Sequence, residues 1–281
     1  MKYTVDTAMV MGSVHQRALT PGQDAAVADV LPDGAFAIVS DGCSSGGDTT
    51  SGAWMLAKAA ARAASLAIAE NDTAFLLPEI LATAEHAARA IALADDDLFA
   101  TLLQAIVLRD RAVVQVYGDG VIAVGFRDGT WQFLRVEWDK NTPFYPIYYT
   151  RRKTDAFLAV HDSTSHAAVY VEHITYDPDG TARRQFCTRH TVAEGMVGLI
   201  LSFDAAALRD IRALGVFTDG VASLPKISWS DVMREVVAFK NTTGAFLRRR
   251  MGRVLREYDV APADDLSGAM VWLSSDDGGG L

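Results

Sequence analysis

The fold prediction for this chain starts from the stretch Ala35-Phe36-Ala37-Ile38-Val39-Ser40-Asp41-Gly42-Cys43-Ser44-Ser45-Gly46-Gly47-Asp48. Its first half is a run of apolar, branched and aromatic residues, which is typical of a buried β-strand. The run ends at one acid, Asp41, and a Gly- and Ser-rich segment follows before an Ala-rich region begins near Thr50. We therefore predict a buried strand that places the Asp41 carboxylate in a loop at its end.

Two later segments repeat this pattern of an apolar strand that ends in Asp-Gly. They are residues 113–120, which finish with Gly118-Asp119-Gly120, and residues 214–220, which finish with Asp219-Gly220. A carboxylate at the end of a buried strand costs solvation free energy unless it meets water, a cation or other acids. Of these possibilities, convergence of the three strand ends on a metal ion is our hypothesis.

Two further acids are predicted to lie at strand ends. Asp24 begins a strand that pairs with the strand ending at Asp41, and the adjacent ends of this antiparallel hairpin bring the two carboxylates together. Asp264 precedes the last strand, 266–273. Carboxylate and carbonyl oxygens suit Mg²⁺ or Mn²⁺, and the chain has no Cys/His spacing for zinc. The candidate metal ligands are Asp24, Asp41, Asp119, Asp219 and Asp264, with glycine after Asp41 and Asp219 allowing the backbone to approach closely.

Composition limits the possible classes of function. The 281 residues are 50% hydrophobic and contain no Pro/Ser-rich linker, which predicts one domain over residues 1–273 and a flexible polar tail at 274–281. A formal charge of −9 argues against a nucleic-acid partner. The basic residues 248–250 fit the solvated face of a helix. Two cysteines and the lack of a signal peptide predict a cytoplasmic location, and Lys58 and Arg62 argue against a membrane span at 52–69.

The remaining pattern predicts an α+β protein. We expect a loop at 13–22, helices at 52–70, 74–94, 229–239 and 243–258, and hairpin strands from 102 to 189 that form one long antiparallel meander. Thr49, Thr50 or Ser51 would cap the first of these helices. The acids Asp95-Asp96-Asp97 are interpreted as a solvated turn, and residues 141–153 show no regular pattern.

The five acids, in this order, resemble the motifs of the metal-dependent protein phosphatase 2C (PP2C) family, especially its compact bacterial branch. The resemblance rests on Gly22-Gln23-Asp24-Ala25, Val39-Ser40-Asp41-Gly42, Ala100-Thr101-Leu102, Gly118-Asp119-Gly120, Phe217-Thr218-Asp219-Gly220 and Asp264-Asp265-Leu266-Ser267. It implies a central antiparallel β-sandwich flanked by helices. It also implies hydrolysis of phosphoserine or phosphothreonine in a phosphorylated protein, whose cognate Ser/Thr kinase would oppose this chain.

The same resemblance implies a role for each acid at a centre of two Mn²⁺ or Mg²⁺ ions. Asp41 would bridge the two metals and Gly42 would ligate through its carbonyl. Asp219 and Asp264 would complete one metal, Asp24 would hold the other through water, and Asp119 would favour a third, looser ion. Asp41 and Asp219 would thereby support catalysis by a metal-activated water.

The chain departs from the family pattern at three places. Many relatives carry His directly after the first Asp-Gly, as a proton donor, where this chain has Cys43. His15 is our candidate to replace it. The phosphate-holding Arg of the family lies a few residues before the acid that corresponds to Asp24, and Arg17 is close to that position. Residues 141–189 match the family poorly.

Other readings of the sequence are weaker. A cysteine phosphatase needs Arg six residues after its nucleophile, where this chain has Thr49 and Ala193. Asp177-Pro178-Asp179-Gly180-Thr181 has the letters of an aspartate-nucleophile phosphatase but lies between two predicted hairpin strands, so we interpret it as a turn. A phosphatase-shaped module that binds a partner without catalysis remains the alternative.

Overall fold

The computed structural model describes residues 1–74, 76–149, 154–161, 167–191 and 198–274. Its strands are β1 (Lys2–Val10), β2 (Asp24–Leu31), β3 (Gly34–Asp41), β4 (Leu102–Val107), β5 (Ala112–Tyr117), β6 (Gly120–Phe126), β7 (Trp131–Trp138), β8 (Ala168–Tyr176), β9 (Ala182–Thr191), β10 (Leu199–Phe203), β11 (Ile211–Phe217) and β12 (Leu266–Ser274). Its helices are α1 (Ser13–Ala18), α2 (Thr49–Glu70), α3 (Leu76–Ala90), α4 (Thr154–His161), α5 (Ala205–Asp210), α6 (Trp229–Val236) and α7 (Phe246–Glu257).

The strands form two antiparallel sheets. One has seven strands in the order β1-β12-β11-β6-β7-β8-β9, and the other has five in the order β10-β5-β4-β3-β2. Alternate residues of the central strands point between the sheets, so that Val39, Val114, Val124 and Val271 share one buried apolar core. This architecture confirms the predicted antiparallel β-sandwich.

Helices cover the outer face of each sheet. The Ala-rich α2 packs on the five-stranded sheet, where its small side chains join Phe36, Ile38 and Ile106 in a second core. On the seven-stranded sheet, α6 and α7 bury residues such as Val232 and Met251 against Phe133. Each of these helices carries one apolar stripe that must be covered, which is why the four layers are stacked as helix, sheet, sheet and helix.

The predicted meander is wrong at one point. Strands β4 and β5 belong to the five-stranded sheet, whereas β6 to β9 belong to the seven-stranded sheet. The chain passes from one sheet to the other at Gly118-Asp119, between β5 and β6. Hairpin spacing predicts that consecutive strands pair with each other. It does not predict which of the two sheets a strand joins, because that depends on how the sheets pack face to face. The change of sheet brings Asp119 to the end of the sandwich.

Several local predictions also need correction. Residues predicted as a loop at 13–22 include the short helix α1, and α3 ends at Ala90 rather than at residue 94. The N-cap of α2 is Asp48, whose side chain accepts a hydrogen bond from the Ser51 backbone N–H. The residues predicted as a flexible tail lie outside the described part of the chain from residue 275 onward. In the described residues, no helix is both long and apolar enough to cross a membrane.

Candidate active site

Strand pairing brings the predicted acids to one end of the sandwich. Asp24 and Asp41 are direct partners across the β2–β3 hairpin, as predicted. The Thr218 N–H, just after β11, donates to the carbonyl of Ser267 at 3.0 Å, which places Asp219 beside the start of β12. Asp119 joins them from the crossover between sheets. A cleft of about 220 Å³ at this end is lined by four of the predicted ligand side chains, Asp41, Asp119, Asp219 and Asp264.

Asp41 lies at the centre of this acidic cluster. Its carboxylate makes side-chain hydrogen-bonding contacts with both Asp24 and Asp219. Its backbone N–H donates to Thr101 Oγ1 at 3.0 Å, and the Thr101 N–H donates back to the Asp41 carbonyl at 2.8 Å. Burial, followed by the charges of four neighbouring acids, raises the pKa of Asp41 well above its usual value. A group held between other carboxylates in this way suits a bridging position between cations.

Asp24 is more deeply buried, with 4% of its surface exposed. Its Oδ2 accepts a hydrogen bond from Thr218 Oγ1 at 2.9 Å, whereas its Oδ1 has no partner. Burial raises the pKa of Asp24 to about 7, with a further contribution from the charge of Asp265, although the hydrogen bond from Thr218 opposes the shift. An unpartnered buried carboxylate oxygen is costly, and a cation or a metal-bound water would satisfy it.

Two more strand-end acids, Asp119 and Asp219, also have a raised pKa. Burial is the main cause that raises the pKa of Asp119 well above its usual value, and the charge of Asp219 adds to it. Burial and the charge of Asp264 raise the pKa of Asp219. The Oδ1 of Asp219 is also buried without a partner. The cluster therefore holds more negative charge than its surroundings compensate.

The glycines after Asp41 and Asp219 lie in close contact with neighbouring backbone. A Cβ added at Gly42 would lie 2.6 Å from the Thr49 carbonyl oxygen, and one at Gly220 would lie 1.9 Å from that of Asp265. Both contacts are with backbone atoms, which cannot move aside as a flexible side chain would. These two positions therefore require glycine, because any side chain would push the Asp-Gly turn away from the neighbouring backbone.

The structure does not bring His15 or Arg17 into the cleft lining. His15 Nδ1 lies 3.0 Å from Asp265 Oδ1 and Nε2 lies 3.1 Å from Gln23 Oε1. Burial lowers the pKa of His15, but the hydrogen bond and charge of Asp265 outweigh it, so that the pKa is raised. Arg17 is exposed and donates to the carbonyl of Ser13 in its own helix at 3.1 Å. The spacing of residues in the sequence could not predict this contact between the His15 ring and the Asp265 carboxylate.

Asp265 is a structural acid that was not predicted as one. It is 3% exposed and accepts hydrogen bonds from the backbone N–H groups of Gly12, at 2.6 Å, and of Gln23. Asp97 has a similar function, because its carboxylate accepts bonds from the N–H groups of Asp48 and Ala94. Its side chain is buried, which corrects the interpretation of residues 95–97 as a wholly solvated turn. Both acids fix the loops that surround the cleft.

The cleft contains residues that sequence reasoning missed. Tyr145, 7% exposed, lies on one wall, and its hydroxyl makes a hydrogen-bonding contact with the Cys43 side chain. Its ring stacks on Phe99, with centroids 6.0 Å apart. Asn141 and Ser44 also line the cleft. No periodic pattern marks residues 139–149, and their position depends on long-range aromatic packing rather than on local sequence.

The residues fit a hard cation. All donors at the strand ends are carboxylate or backbone oxygens, and such an ion would satisfy the two unpartnered oxygens, Asp24 Oδ1 and Asp219 Oδ1. Among the described residues, no three acidic, His or Cys groups already stand in a metal-coordinating arrangement. Ionised carboxylates this close repel one another, and a bound cation would offset that repulsion.

Comparison with known protein families decides the identity. Residues 11–256 match the model of the family described as Protein phosphatase 2C. The chain belongs to the PP2C family. This membership confirms the resemblance drawn from the acid motifs. PP2C proteins are hydrolases that act as protein phosphatases and are generally metal-dependent.

Solved structures support the PP2C fold. The serine/threonine phosphatase Stp1 from Staphylococcus aureus superposes with a TM-score of 0.52 at 12% identity, covering 98% of this chain and 96% of that one. A bacterial serine phosphatase gives a TM-score of 0.52 at 11% identity, covering 97% and 98%. At such identities the likeness shows the fold alone. No curated protein matches this chain in sequence.

Proposed function

We propose that this PP2C protein hydrolyses phosphoserine or phosphothreonine in a phosphorylated protein at a centre of two Mn²⁺ or Mg²⁺ ions. The observation that carries the proposal is the convergence of four acids from different strand ends on one cleft, with Asp24 buried behind them. A cognate Ser/Thr kinase would supply the substrate. We further propose that residues 1–273 form one domain and that the protein acts in the cytoplasm.

The proposed ligands keep their predicted roles. Asp41 would bridge the two ions, the Gly42 carbonyl would join one of them, and Asp219 and Asp264 would complete an ion. Asp24 would act through water, and Asp119 would favour a third ion. When bound, such a metal pair supplies Lewis acidity and a water of lowered pKa.

The protein's own residues position this chemistry. Thr101 bonds both backbone groups of Asp41, and Thr218 donates to one oxygen of Asp24, which leaves the other Asp24 oxygen without a partner. Burial, with Cys43 as a second cause, raises the pKa of the Tyr145 phenol, which therefore stays protonated and can donate a hydrogen bond to a phosphoryl oxygen. This proposal leaves His15 and Arg17 outside the reacting groups.

A partner-binding module is the second candidate. One observation favours it, namely that the described residues lining the cleft include no Lys or Arg to hold a phosphate. Phosphate would then depend on the metal ions and on neutral donors such as Ser44, Asn141 and Tyr145. Catalysis is preferred because every acid of the family pattern is present and four of the five line the cleft.

Hydrolysis of a phosphoserine peptide and of an aryl phosphate, measured during Mn²⁺ titration, tests the proposal. Asp41→Asn should abolish both activities and the thermal stabilisation by Mn²⁺, because it removes the bridging charge. Asp219→Asn should lose activity but retain part of the Mn²⁺ stabilisation. Asp110→Asn, on an exposed turn, is the matched control and should behave as the parent. Parental rate and Mn²⁺ response in Asp41→Asn would disprove the metal-centre proposal.

A further inference from the structure

A second cavity lies between the end of α6 and the helix α7, on the outer face of the seven-stranded sheet. Its volume is about 280 Å³, and its lining includes Lys240, Arg249, Arg250 and Arg253. We call it the α6–α7 pocket. Four cationic side chains around one cavity are unexpected in a chain with a formal charge of −9.

Two of these four positive charges are neutralised by ion pairs on the helix surface. Arg250 pairs with Glu235 at 2.8 Å, and Arg253 pairs with Glu257 at 2.7 Å. Among the described residues, no carboxylate lies within ion-pair distance of Lys240 or Arg249. Two positive charges at the pocket therefore remain uncompensated.

Arg249 is nevertheless held in place. Its Nη2 donates to Asn241 Oδ1 at 2.9 Å and to the Thr243 carbonyl at 2.8 Å. Both acceptors are neutral, so they fix the guanidinium without cancelling its charge. A charged fork that is already ordered loses less side-chain entropy when it binds an anion than a free Arg would.

The floor of the pocket is aromatic and rigid. Phe239 meets Phe246 edge to face, with ring centroids 5.0 Å apart, and meets Trp272 in the same way at 6.0 Å. Phe246 is buried, whereas Phe239 is partly open to the pocket. A flat apolar surface beneath a cationic rim suits a ligand that carries both a ring and an anionic group.

The pocket is separate from the catalytic cleft. Trp272 lies near the far end of β12, whereas Asp264 precedes the first residue of that strand, Leu266. At about 3.3 Å per strand residue, β12 spans roughly 20 Å from Leu266, next to the cleft, to Trp272, which contacts the pocket residue Phe239. A ligand in the α6–α7 pocket therefore cannot be the group that is hydrolysed.

We propose that the α6–α7 pocket binds a small phosphate monoester that carries a planar ring, the chemical class of the nucleoside monophosphates. Lys240 and Arg249 bind the phosphate, and the ring packs on Phe239. The positive charges that bind this ligand lie away from the acidic cleft. Its binding therefore needs no metal ion.

Calorimetric titration of the full chain with AMP, inorganic phosphate and adenosine tests this proposal. Excess EDTA keeps metal ions out of the catalytic cleft, so the result does not depend on phosphatase activity. We expect AMP to bind at least about tenfold more tightly than either fragment. The Lys240→Gln/Arg249→Gln double variant should lose about tenfold or more of the AMP affinity, as expected when charged hydrogen-bond donors are removed.

The matched control is Arg248→Gln/Arg256→Gln, which removes the same charge from exposed positions of α7 outside the pocket lining. It should retain the AMP affinity of the parent. Lys240→Gln alone removes no side-chain hydrogen bond or ion pair among the described residues and should weaken AMP several-fold even if the double variant is unstable. Absence of AMP binding, an equal loss in both double variants, or phosphate binding as tight as AMP would overturn the proposal.

Discussion

Asp24→Asn should stabilise the metal-free protein at alkaline pH. The pKa of Asp24 rises from 3.8 in a model peptide to about 7 in the folded chain. One pKa unit corresponds to about 1.4 kcal/mol, so the ionised carboxylate costs up to about 4 kcal/mol of folding stability. Asn carries no charge, its carbonyl can accept from Thr218, and its amide can donate to Asp41. We expect a gain of roughly 1 to 4 kcal/mol near pH 8, because neighbouring acids share part of the shift.

The pH dependence gives the sign of this effect. Since the pKa of Asp24 is higher in the folded chain, the folded protein still holds a proton that the unfolded chain has released. Parent stability without metal therefore falls as the pH rises from about 4 to about 7, and the loss is complete above that range. The advantage of Asp24→Asn should be greatest near pH 8 and nearly vanish near pH 4.

Thermal melts in excess EDTA at several pH values measure this difference. For a chain of this size, 1 kcal/mol corresponds to roughly 2 to 4 °C in Tm. Asp110→Asn controls for a general change in net charge and should change stability by less than about 0.5 kcal/mol. A gain in Asp24→Asn that is no larger than in Asp110→Asn, or that is the same at all pH values, would refute the assignment of a crowded buried carboxylate.

Three other predictions concern activity. Excess EDTA should abolish turnover and added Mn²⁺ restore it, because no side chain at the cleft replaces a metal-activated water; full turnover in EDTA would contradict this. Cys43→Ser should retain most of the rate, and a loss beyond about a hundredfold would identify Cys43 as an acid–base group or nucleophile. Tyr145→Phe should lower kcat/KM by about tenfold if its hydroxyl donates to phosphate, and an unchanged value in steady-state kinetics would exclude that contact.

The sequence predicted the parts of the site that follow from strand ends. Asp24 and Asp41 were placed together because a short hairpin fixes which residues face each other, and the structure pairs them directly. Asp119 and Asp219 were predicted from the same Asp-Gly pattern. Their approach depends on the two sheets packing face to face, which the antiparallel sandwich provides.

Features that depend on long-range packing could not be predicted. Tyr145 comes from an irregular segment whose position is fixed by contacts with Phe99, more than forty residues away in sequence. His15 was a candidate proton donor, but Asp265, at the other end of the chain, lies against its Nδ1. Local spacing contains no information about either partner. The division of the meander between two sheets was missed for the same reason.

Under the proposed function, the acidic cleft would make stability and substrate binding depend on the same cations. A phosphate monoester is itself negative, and the described lining of the cleft offers it Asp41, Asp119, Asp219 and Asp264 but no Lys or Arg. Without a cation, each of these carboxylates would repel the substrate as well as its neighbours. Two divalent ions would bring a charge of about +4, enough to offset four carboxylates. Metal ions would then reduce the repulsion among the buried carboxylates. The same ions would supply the positive charge that binds phosphate.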